Sequence, residues 1–89
     1  MVNYDNMHFV YLLQSEINGS FYIGQTNDVV RRLAEHNRGE VYFTKRHRPH
    51  KLIYYETYLS EVLAKEREKQ LKRFGSAYVA LLKRLKIKK

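Results

Sequence analysis

The dipeptide Asn18-Gly19 lies between two short segments with strand character, and this arrangement constrains the fold more than any other feature. Residues 8–14 and 21–25 are rich in aromatic, β-branched and leucine side chains, which favour β-strands. A type I′ turn needs positive φ angles at both central positions, and Asn-Gly commonly supplies them. The sequence therefore predicts an antiparallel hairpin near the start of the chain.

A two-residue turn at Asn18-Gly19 would also decide which residues face each other. Paired residues would have numbers that sum to 37, which puts Tyr11 and Tyr22 on one face, with Gly24 leaving that face open. This register offsets the tyrosines by four residues, about 13 Å along the strands. Either the loop is wider than two residues, or the two phenols do not act on the same atom. The opposite face is expected to meet the core through Val10, Leu12, Phe21 and Ile23.

The remainder of the chain predicts one further strand and three helices. Helices are expected at 28–37, at 61–73 and from 76 onward, and the third strand at 51–59. Ser60 is a candidate N-cap for the second helix, and Gly75 is expected to close it. The order β-β-α-β-α-α predicts a single α+β domain over 1–89, with a small three-stranded antiparallel sheet flanked by three helices.

The first predicted helix carries two polar residues beside its apolar stripe. Arg32 and His36 are one turn apart and lie at an edge of the stripe, not on the face centred on solvent. In the third helix, Val79, Leu82 and Leu85 recur at helical spacing. The stripe of the first helix is expected to consist of Val29, Val30, Leu33 and Ala34.

The charge balance is strongly basic. The chain has 17 lysines and arginines against 9 acidic residues, a formal net charge of +8. An excess of positive charge on a small domain points to a polyanionic partner. Nucleic acid is the first candidate, an anionic membrane surface is the second, and solubility alone is the third explanation.

The chain has no cysteine, so disulfides and cysteine-ligated zinc sites are excluded and the domain must be held together by packing. Its longest apolar run, Phe9 to Leu13, is too short to span a bilayer. The first six residues have neither a basic start nor an apolar core, so no signal peptide is expected there. These features favour a cytoplasmic protein with no membrane partner.

Five positions resemble the GIY-YIG nuclease superfamily. The second half of the family's name is intact as Tyr22-Ile23-Gly24, whereas Phe9-Val10-Tyr11 replaces Gly-Ile-Tyr and keeps only the tyrosine. Arg32 and His36 match the family's helix arginine and histidine in type and spacing, and Glu68 matches its metal-binding glutamate. The likeness covers nearly the whole chain and is greatest for the small stand-alone bacterial members.

This resemblance implies a metal-dependent endonuclease that hydrolyses phosphodiester bonds in DNA, with structure-specific or repair-related substrates as an option. Glu68 would hold one divalent ion, Mg²⁺ or Mn²⁺, and Arg32 would neutralise the phosphoryl oxygens. Tyr22 or Tyr11 would help to deprotonate the attacking water, assisted by His36. A tyrosine needs a neighbouring cation to act as a base near neutrality, because its ordinary pKa is about 10.

Each site residue also has a structural explanation. Tyr11 and Tyr22 are also explained as sheet aromatics, and Arg32 as a surface charge paired with Glu35 or Asp28. A carboxylate such as Glu68 at the edge of an apolar stripe needs a cation. That cation is a metal, or it is Arg67 or Lys72.

A basic loop between the first helix and the third strand supplies candidate phosphate contacts. The same charges are equally explained as solvated surface. The residues concerned are Lys45, Arg46, Arg48 and Lys51.

Two other functions remain open from the sequence. The first is a nucleic-acid-binding module with weak or no catalysis, and the second is an interaction domain for an acidic protein. Metal dependence separates the nuclease from the binding module. Affinity for DNA that falls with salt separates both from the protein-interaction domain.

Overall fold

The computed structural model describes residues 6–87 and contains one three-stranded antiparallel sheet with three helices. The strands lie in the order β2-β1-β3, and both neighbouring pairs are antiparallel. The predicted α+β architecture and element order are confirmed. The first five residues, which enter the signal-peptide expectation, and the last two lysines lie outside the described residues. The elements are β1 (His8–Ser15), β2 (Phe21–Thr26), α1 (Val29–Asn37), β3 (His50–Tyr58), α2 (Glu61–Leu71) and α3 (Ser76–Arg84).

The hairpin between β1 and β2 has a wider loop than the Asn-Gly dipeptide predicts. Tyr11 pairs with Gly24 and Leu13 with Tyr22, so paired numbers sum to 35 and the predicted register is wrong. The Ser15 amide donates to the Ser20 carbonyl at 2.8 Å, which leaves four residues in the loop. This register brings the two tyrosines to within two residues of each other along the sheet, about 7 Å.

Side chains inside the loop explain why the type I′ turn does not form. The Ser15 hydroxyl accepts from the amides of Ile17 and Asn18, and the Asn18 side chain accepts from the Ser20 amide at 3.0 Å. Such local bonds compete with the tight hairpin turn. Only Gly19 has a positive φ angle in this loop, at +74°.

One face of the sheet carries the hydrophobic core. Val10, Leu12 and Ile23 are buried there against Ala64 and Leu71 of α2, as the pattern predicts. The α3 residues that complete this core are Tyr78, Leu81 and Leu82.

Val79 is half exposed, although it shares the helical spacing of Leu82 and Leu85. The buried side of α3 carries Tyr78, which directly precedes Val79, and Leu81 and Leu82, which follow it by two and three residues. No helix within residues 6–87 is both long and apolar enough to cross a bilayer.

The ends of the helices depend on local hydrogen bonds. The Asp28 carboxylate accepts from the Arg31 amide and begins α1, and the Ser60 hydroxyl accepts from the Leu63 amide and begins α2. The left-handed residue after α2 is Phe74, with φ at +55°. Gly75 has φ at −96° and directly precedes α3, so its predicted role in closing α2 is wrong.

The opposite face of the sheet is covered by α1. His36 is the one fully buried residue of this helix, with 0% of its surface exposed. Val30 is 82% exposed, so its predicted place in the buried stripe is wrong. Positions 29, 33 and 36 follow one another at helical spacing toward the sheet, whereas position 30 is rotated away from them.

Candidate active site

Tyr11 lies on the α1 side of the sheet directly over Gly24. The tyrosine is buried, and a Cβ atom added at Gly24 would overlap the Tyr11 hydroxyl and ring. Gly24 was expected to leave this face open, and that expectation is wrong because the Tyr11 ring occupies the space. The glycine is therefore required for the close approach of a neighbouring side chain.

The Tyr11 hydroxyl contacts a histidine that is 25 residues away in sequence. Its oxygen lies 2.9 Å from His36 Nε2, and His36 Nδ1 lies 2.7 Å from the Thr44 hydroxyl oxygen. The Thr44 hydroxyl donates in turn to the Val41 carbonyl at 3.5 Å. This network assigns the imidazole proton to Nδ1, so Nε2 accepts from the Tyr11 hydroxyl.

Burial keeps this hydrogen-bonded pair neutral. Burial, which is the largest cause, acts together with the positive charge of Arg32 and the neighbouring His50 to lower the pKa of His36 to about 4. Burial also raises the pKa of Tyr11 to about 12, although interaction with the Arg32 guanidinium opposes the rise. At neutral pH the phenol and the imidazole are therefore both uncharged. Tyr11 has the neighbouring cation that a basic phenol needs, but burial outweighs its effect.

Tyr22 completes a cluster of three rings. Its ring centroid lies 6.4 Å from that of Tyr11 and 5.0 Å from that of His36. Unlike Tyr11, it is partly exposed. The two tyrosines therefore share one site, and the wider hairpin loop resolves the offset problem.

Arg32 lies at the border of this cluster and is half buried. One of its terminal nitrogens, Nη1, donates to the Glu35 carboxylate at 2.9 Å. This bond raises the pKa of Arg32, and interaction with the Tyr11 hydroxyl adds to the rise. Of the two acidic partners considered from the sequence, the structure selects Glu35, since the Asp28 carboxylate caps α1.

Glu68 reaches the same cluster from α2. Its half-buried carboxylate lies 3.2 Å from Lys72 Nζ, and that ammonium lies 5.5 Å from the centroid of the Tyr22 ring. The negative charge of Glu68 also contributes to the raised pKa of Tyr11. Arg67 pairs with Glu56 at 2.7 Å, so Lys72 is the cation that neutralises Glu68 here.

The donor set at Glu68 fits a magnesium-type ion that is shared with substrate. Within residues 6–87 no group of three histidine, cysteine, aspartate or glutamate side chains is placed to hold a metal. A cage built from protein ligands alone is therefore absent from the part of the chain described. Mg²⁺ is commonly bound by one or two carboxylates together with waters and substrate phosphate oxygens, and a single partly exposed carboxylate suits that mode.

The basic loop borders the site through Thr44. Lys45, Arg46, Arg48 and Lys51 are all exposed, as phosphate contacts would be. Lys45 Nζ lies 5.4 Å from the centroid of the Tyr42 ring, and the Arg48 guanidinium packs over Gly39.

One residue of the site, Thr44, was missed from the sequence, and another, Lys72, was named only as an alternative to a metal. Thr44 holds His36, and Lys72 joins Glu68 to Tyr22. Lys72 carried a usable signal, since a lysine four residues after a glutamate on a helix pairs with it. Thr44 carried none, because its contact depends on the path of the loop.

Comparisons with known proteins agree with this geometry. The family profile described as the GIY-YIG catalytic domain matches residues 7–78. UPF0213 proteins of Staphylococcus epidermidis and Staphylococcus aureus are each 40% identical over 68 residues, which cover 75% of this chain and 82% of the relative. The solution structure of a UPF0213 protein from Bacillus halodurans is 31% identical, has a TM-score of 0.55, and covers 90% of this chain and 85% of its own.

Proposed function

This chain belongs to the GIY-YIG family, and from that premise we propose that it is a divalent-metal-dependent endonuclease that hydrolyses phosphodiester bonds in DNA. The family is a nuclease superfamily, which implies a nucleic-acid substrate. One observation carries the proposal. His36 packs against the Tyr22 ring, Lys72 lies over that ring, and Lys72 pairs with Glu68. At the His36 end of this series, Tyr11 interacts with Arg32.

Arg32 is the residue suited to hold the scissile phosphate. Its guanidinium has five N–H donors, and the hydrogen bond to Glu35 engages only one terminal nitrogen. The remaining donors are arranged in a plane that matches two phosphoryl oxygens. Its positive charge would then neutralise the charge that develops on those oxygens as the attacking water adds to phosphorus.

Tyr22 is better placed than Tyr11 to contact the attacking water. Tyr22 is partly exposed, whereas Tyr11 is buried and donates its proton to His36 Nε2. We assign Tyr11 and His36 the role of a positioning pair that holds the Tyr22 ring and Arg32 in place. The pair remains neutral at working pH, so it adds no charge that would oppose the arginine.

Glu68 is the proposed ligand of the divalent ion. When bound, such an ion would stabilise charge on the scissile phosphate and on the leaving oxygen. Lys72 neutralises the Glu68 carboxylate at 3.2 Å in the structure described here, and it must give way when another cation binds. Lys72 would then be free to contact a phosphate of the bound strand.

The departure from the family's first motif does not displace Tyr11. Val10 is buried in the core, where an isoleucine would also pack, and the Phe9 ring packs edge-on against Tyr55 at 5.8 Å. Tyr11 still lies over Gly24 with its hydroxyl on His36. The substitutions at positions 9 and 10 are therefore compatible with an intact site.

The proposal is tested by incubating the purified protein with single-stranded, flapped, branched and duplex DNA in Mg²⁺ or Mn²⁺. We expect cleavage of at least one substrate, loss of cleavage in excess chelator, and loss of cleavage in Glu68→Ala. Glu66→Ala, an exposed position on the same helix, is the matched control and should cleave normally. DNA affinity should stay within a few-fold in both variants, because the basic surface is unchanged.

The binding-module alternative makes the opposite prediction for the same panel. It expects salt-sensitive DNA binding in every variant and no cleavage with either metal. Cleavage that persists in excess chelator would instead remove Glu68 from the role of metal ligand.

A further inference from the structure

Two exposed phenylalanines form a pocket beside the candidate active site. Phe43 is 76% exposed and Phe74 is 58% exposed, and both line a cavity of about 370 Å³. Large apolar rings exposed together on a small protein mark a binding surface more often than chance. We call this cavity the aromatic pocket, and its walls are Phe21, Tyr22, Ile23, Phe43, Lys72 and Phe74.

The two phenylalanines are held from separate parts of the chain. Phe43 lies in the loop after α1, and Phe74 lies between α2 and α3. Phe74 occupies the left-handed region, although Gly75 beside it would adopt that conformation without strain. Its ring is fixed edge-on against the buried Tyr78, with centroids 5.0 Å apart. The ring is therefore displayed in a defined position.

The aromatic pocket is continuous with the site of the proposed cleavage. Tyr22 belongs to both, since its ring lines the pocket and packs against His36. Lys72 also belongs to both, since it lines the pocket and pairs with Glu68. A nucleotide next to a phosphate held at the site would therefore lie at the mouth of this pocket.

Cations alternate with the aromatic rings along this surface. Phe43 also lines a second depression, of about 180 Å³, together with Tyr42, Lys45 and Arg46. Lys45 lies over the Tyr42 ring, and Lys72 lies over the Tyr22 ring. Rings that stack bases, interleaved with cations that neutralise phosphates, are the pattern that binds a single nucleic-acid strand.

We propose that the aromatic pocket binds an unpaired nucleobase of the substrate strand beside the scissile phosphate, so that the protein selects single-stranded or locally unpaired DNA over duplex. The inference rests on the proposed function. The volume of the aromatic pocket lies within the range of about 300 to 1,000 Å³ that is typical of small-ligand sites. A base within a duplex is stacked and paired, and its faces are not available to the rings.

The test measures binding in excess chelator, so that it does not depend on cleavage. Fluorescence anisotropy compares a labelled thymidine single strand with a duplex of equal length for wild type, Phe43→Ala and Phe74→Gly. Loss of one stacking partner should weaken single-strand binding by roughly 5- to 100-fold and leave duplex binding within about twofold. Phe74→Gly keeps the backbone conformation accessible, so it guards against loss of the fold.

The matched control is Leu59→Ala, an apolar residue that is as exposed as Phe43, at 76%, and lies between β3 and α2. It should bind both DNAs like wild type. A strand that contains 2-aminopurine adds a direct reading, because stacking quenches this base. Quenching by wild type that is lost in Phe43→Ala supports a base in the pocket.

Three results would overturn the inference. The first is that both phenylalanine variants bind the single strand as tightly as wild type does. The second is that the variants bind the single strand and the duplex more weakly by the same factor. The third is that Phe43→Ala changes its oligomeric state but not its DNA binding. The last result would assign the pocket to a second copy of the chain. Base binding with no cleavage under any metal condition would instead retain the pocket and reject the endonuclease, so the two failures are distinguishable.

Discussion

The Tyr11 hydroxyl oxygen lies 2.9 Å from His36 Nε2 in the interior of the protein, where both groups are shielded from solvent. The bond joins the central strand of the sheet to α1. Because Thr44 engages the other imidazole nitrogen, the ring has a single orientation. From this hydrogen bond we derive separate predictions about the stability of the fold and about catalysis.

Tyr11→Phe removes the hydroxyl and keeps the ring over Gly24. His36 Nε2 would lose its partner in a buried site, so the free energy of unfolding should fall by about 1–3 kcal/mol. Cleavage should fall by roughly 10²-fold with DNA affinity unchanged, because the ring cluster loses its anchor and the reacting groups are misplaced. Urea unfolding and single-turnover cleavage measure the two effects. Tyr55→Phe, an exposed residue paired with Tyr11 across the sheet, should stay within about 0.5 kcal/mol of wild type.

His36 should make the stability of the fold depend on pH. An unfolded histidine binds a proton below about pH 6.5, whereas the pKa of His36 in the fold is about 4. Between these values the unfolded state holds more protons, so stability is complete above pH 6.5 and is lost as the pH falls toward 4. The loss should reach about 3 kcal/mol.

The measurement for this pH effect is urea unfolding from pH 7.5 to 4.5, with His36→Gln as the reference. Other titrating groups act on both proteins, so the difference between their curves isolates His36. Wild type should lose stability faster than His36→Gln as the solution is acidified. Parallel curves would mean that burial does not keep this imidazole neutral.

Gly24→Ala should disturb the site through sterics alone. The added methyl group would overlap the Tyr11 ring and hydroxyl, and forcing such a group into a packed region costs about 1–3 kcal/mol. Gly75→Ala is the matched control, because a Cβ atom there meets nothing within 4 Å. Thermal unfolding and cleavage should both be impaired in the first variant and nearly normal in the second. Equal behaviour of the two would show that Tyr11 does not require the glycine.

Arg32→Lys separates an arginine that positions phosphate from one that is only basic. The substitution keeps the charge but loses the planar fork, so the cleavage rate should fall by roughly 10²-fold with little change in binding. Lys45→Ala should do the reverse, weakening DNA affinity and flattening its salt dependence without lowering the saturated rate. If instead Arg32→Lys cleaves at the wild-type rate and Lys45→Ala does not, the site would move to the basic loop.

Local sequence patterns were sufficient to predict the elements of this fold. Runs of strand-forming residues, helical periodicity and the cap at Ser60 act over a few neighbouring residues. The strands, the helices and this cap all appear near the predicted places. The predictions for Val30 and Gly75 were wrong for the same reason. Whether an apolar helix position is covered, and which residue after a helix turns left-handed, depends on what packs against it.

The candidate site, too, was predictable from the sequence only in part. Resemblance to a family named Tyr11, Tyr22, Arg32, His36 and Glu68, and the structure brings them into one cluster. Their roles in catalysis and metal binding remain predictions that the experiments above address. Lys72 was among the cations considered for Glu68 from the sequence, whereas Thr44 was not considered.

By itself, then, the sequence determined the order of strands and helices, the basic charge and the set of candidate residues, because each depends on composition or on near neighbours. Only the tertiary structure decided that the hairpin loop has four residues, that Tyr11 covers Gly24, and that Phe43 and Phe74 share a pocket with Tyr22. These are contacts through space between distant parts of the chain. They arise when burial and hydrogen bonding in the whole fold outweigh local preference. At the hairpin loop, for example, the Ser15 hydroxyl donates to the carbonyl of His47, 32 residues away in sequence.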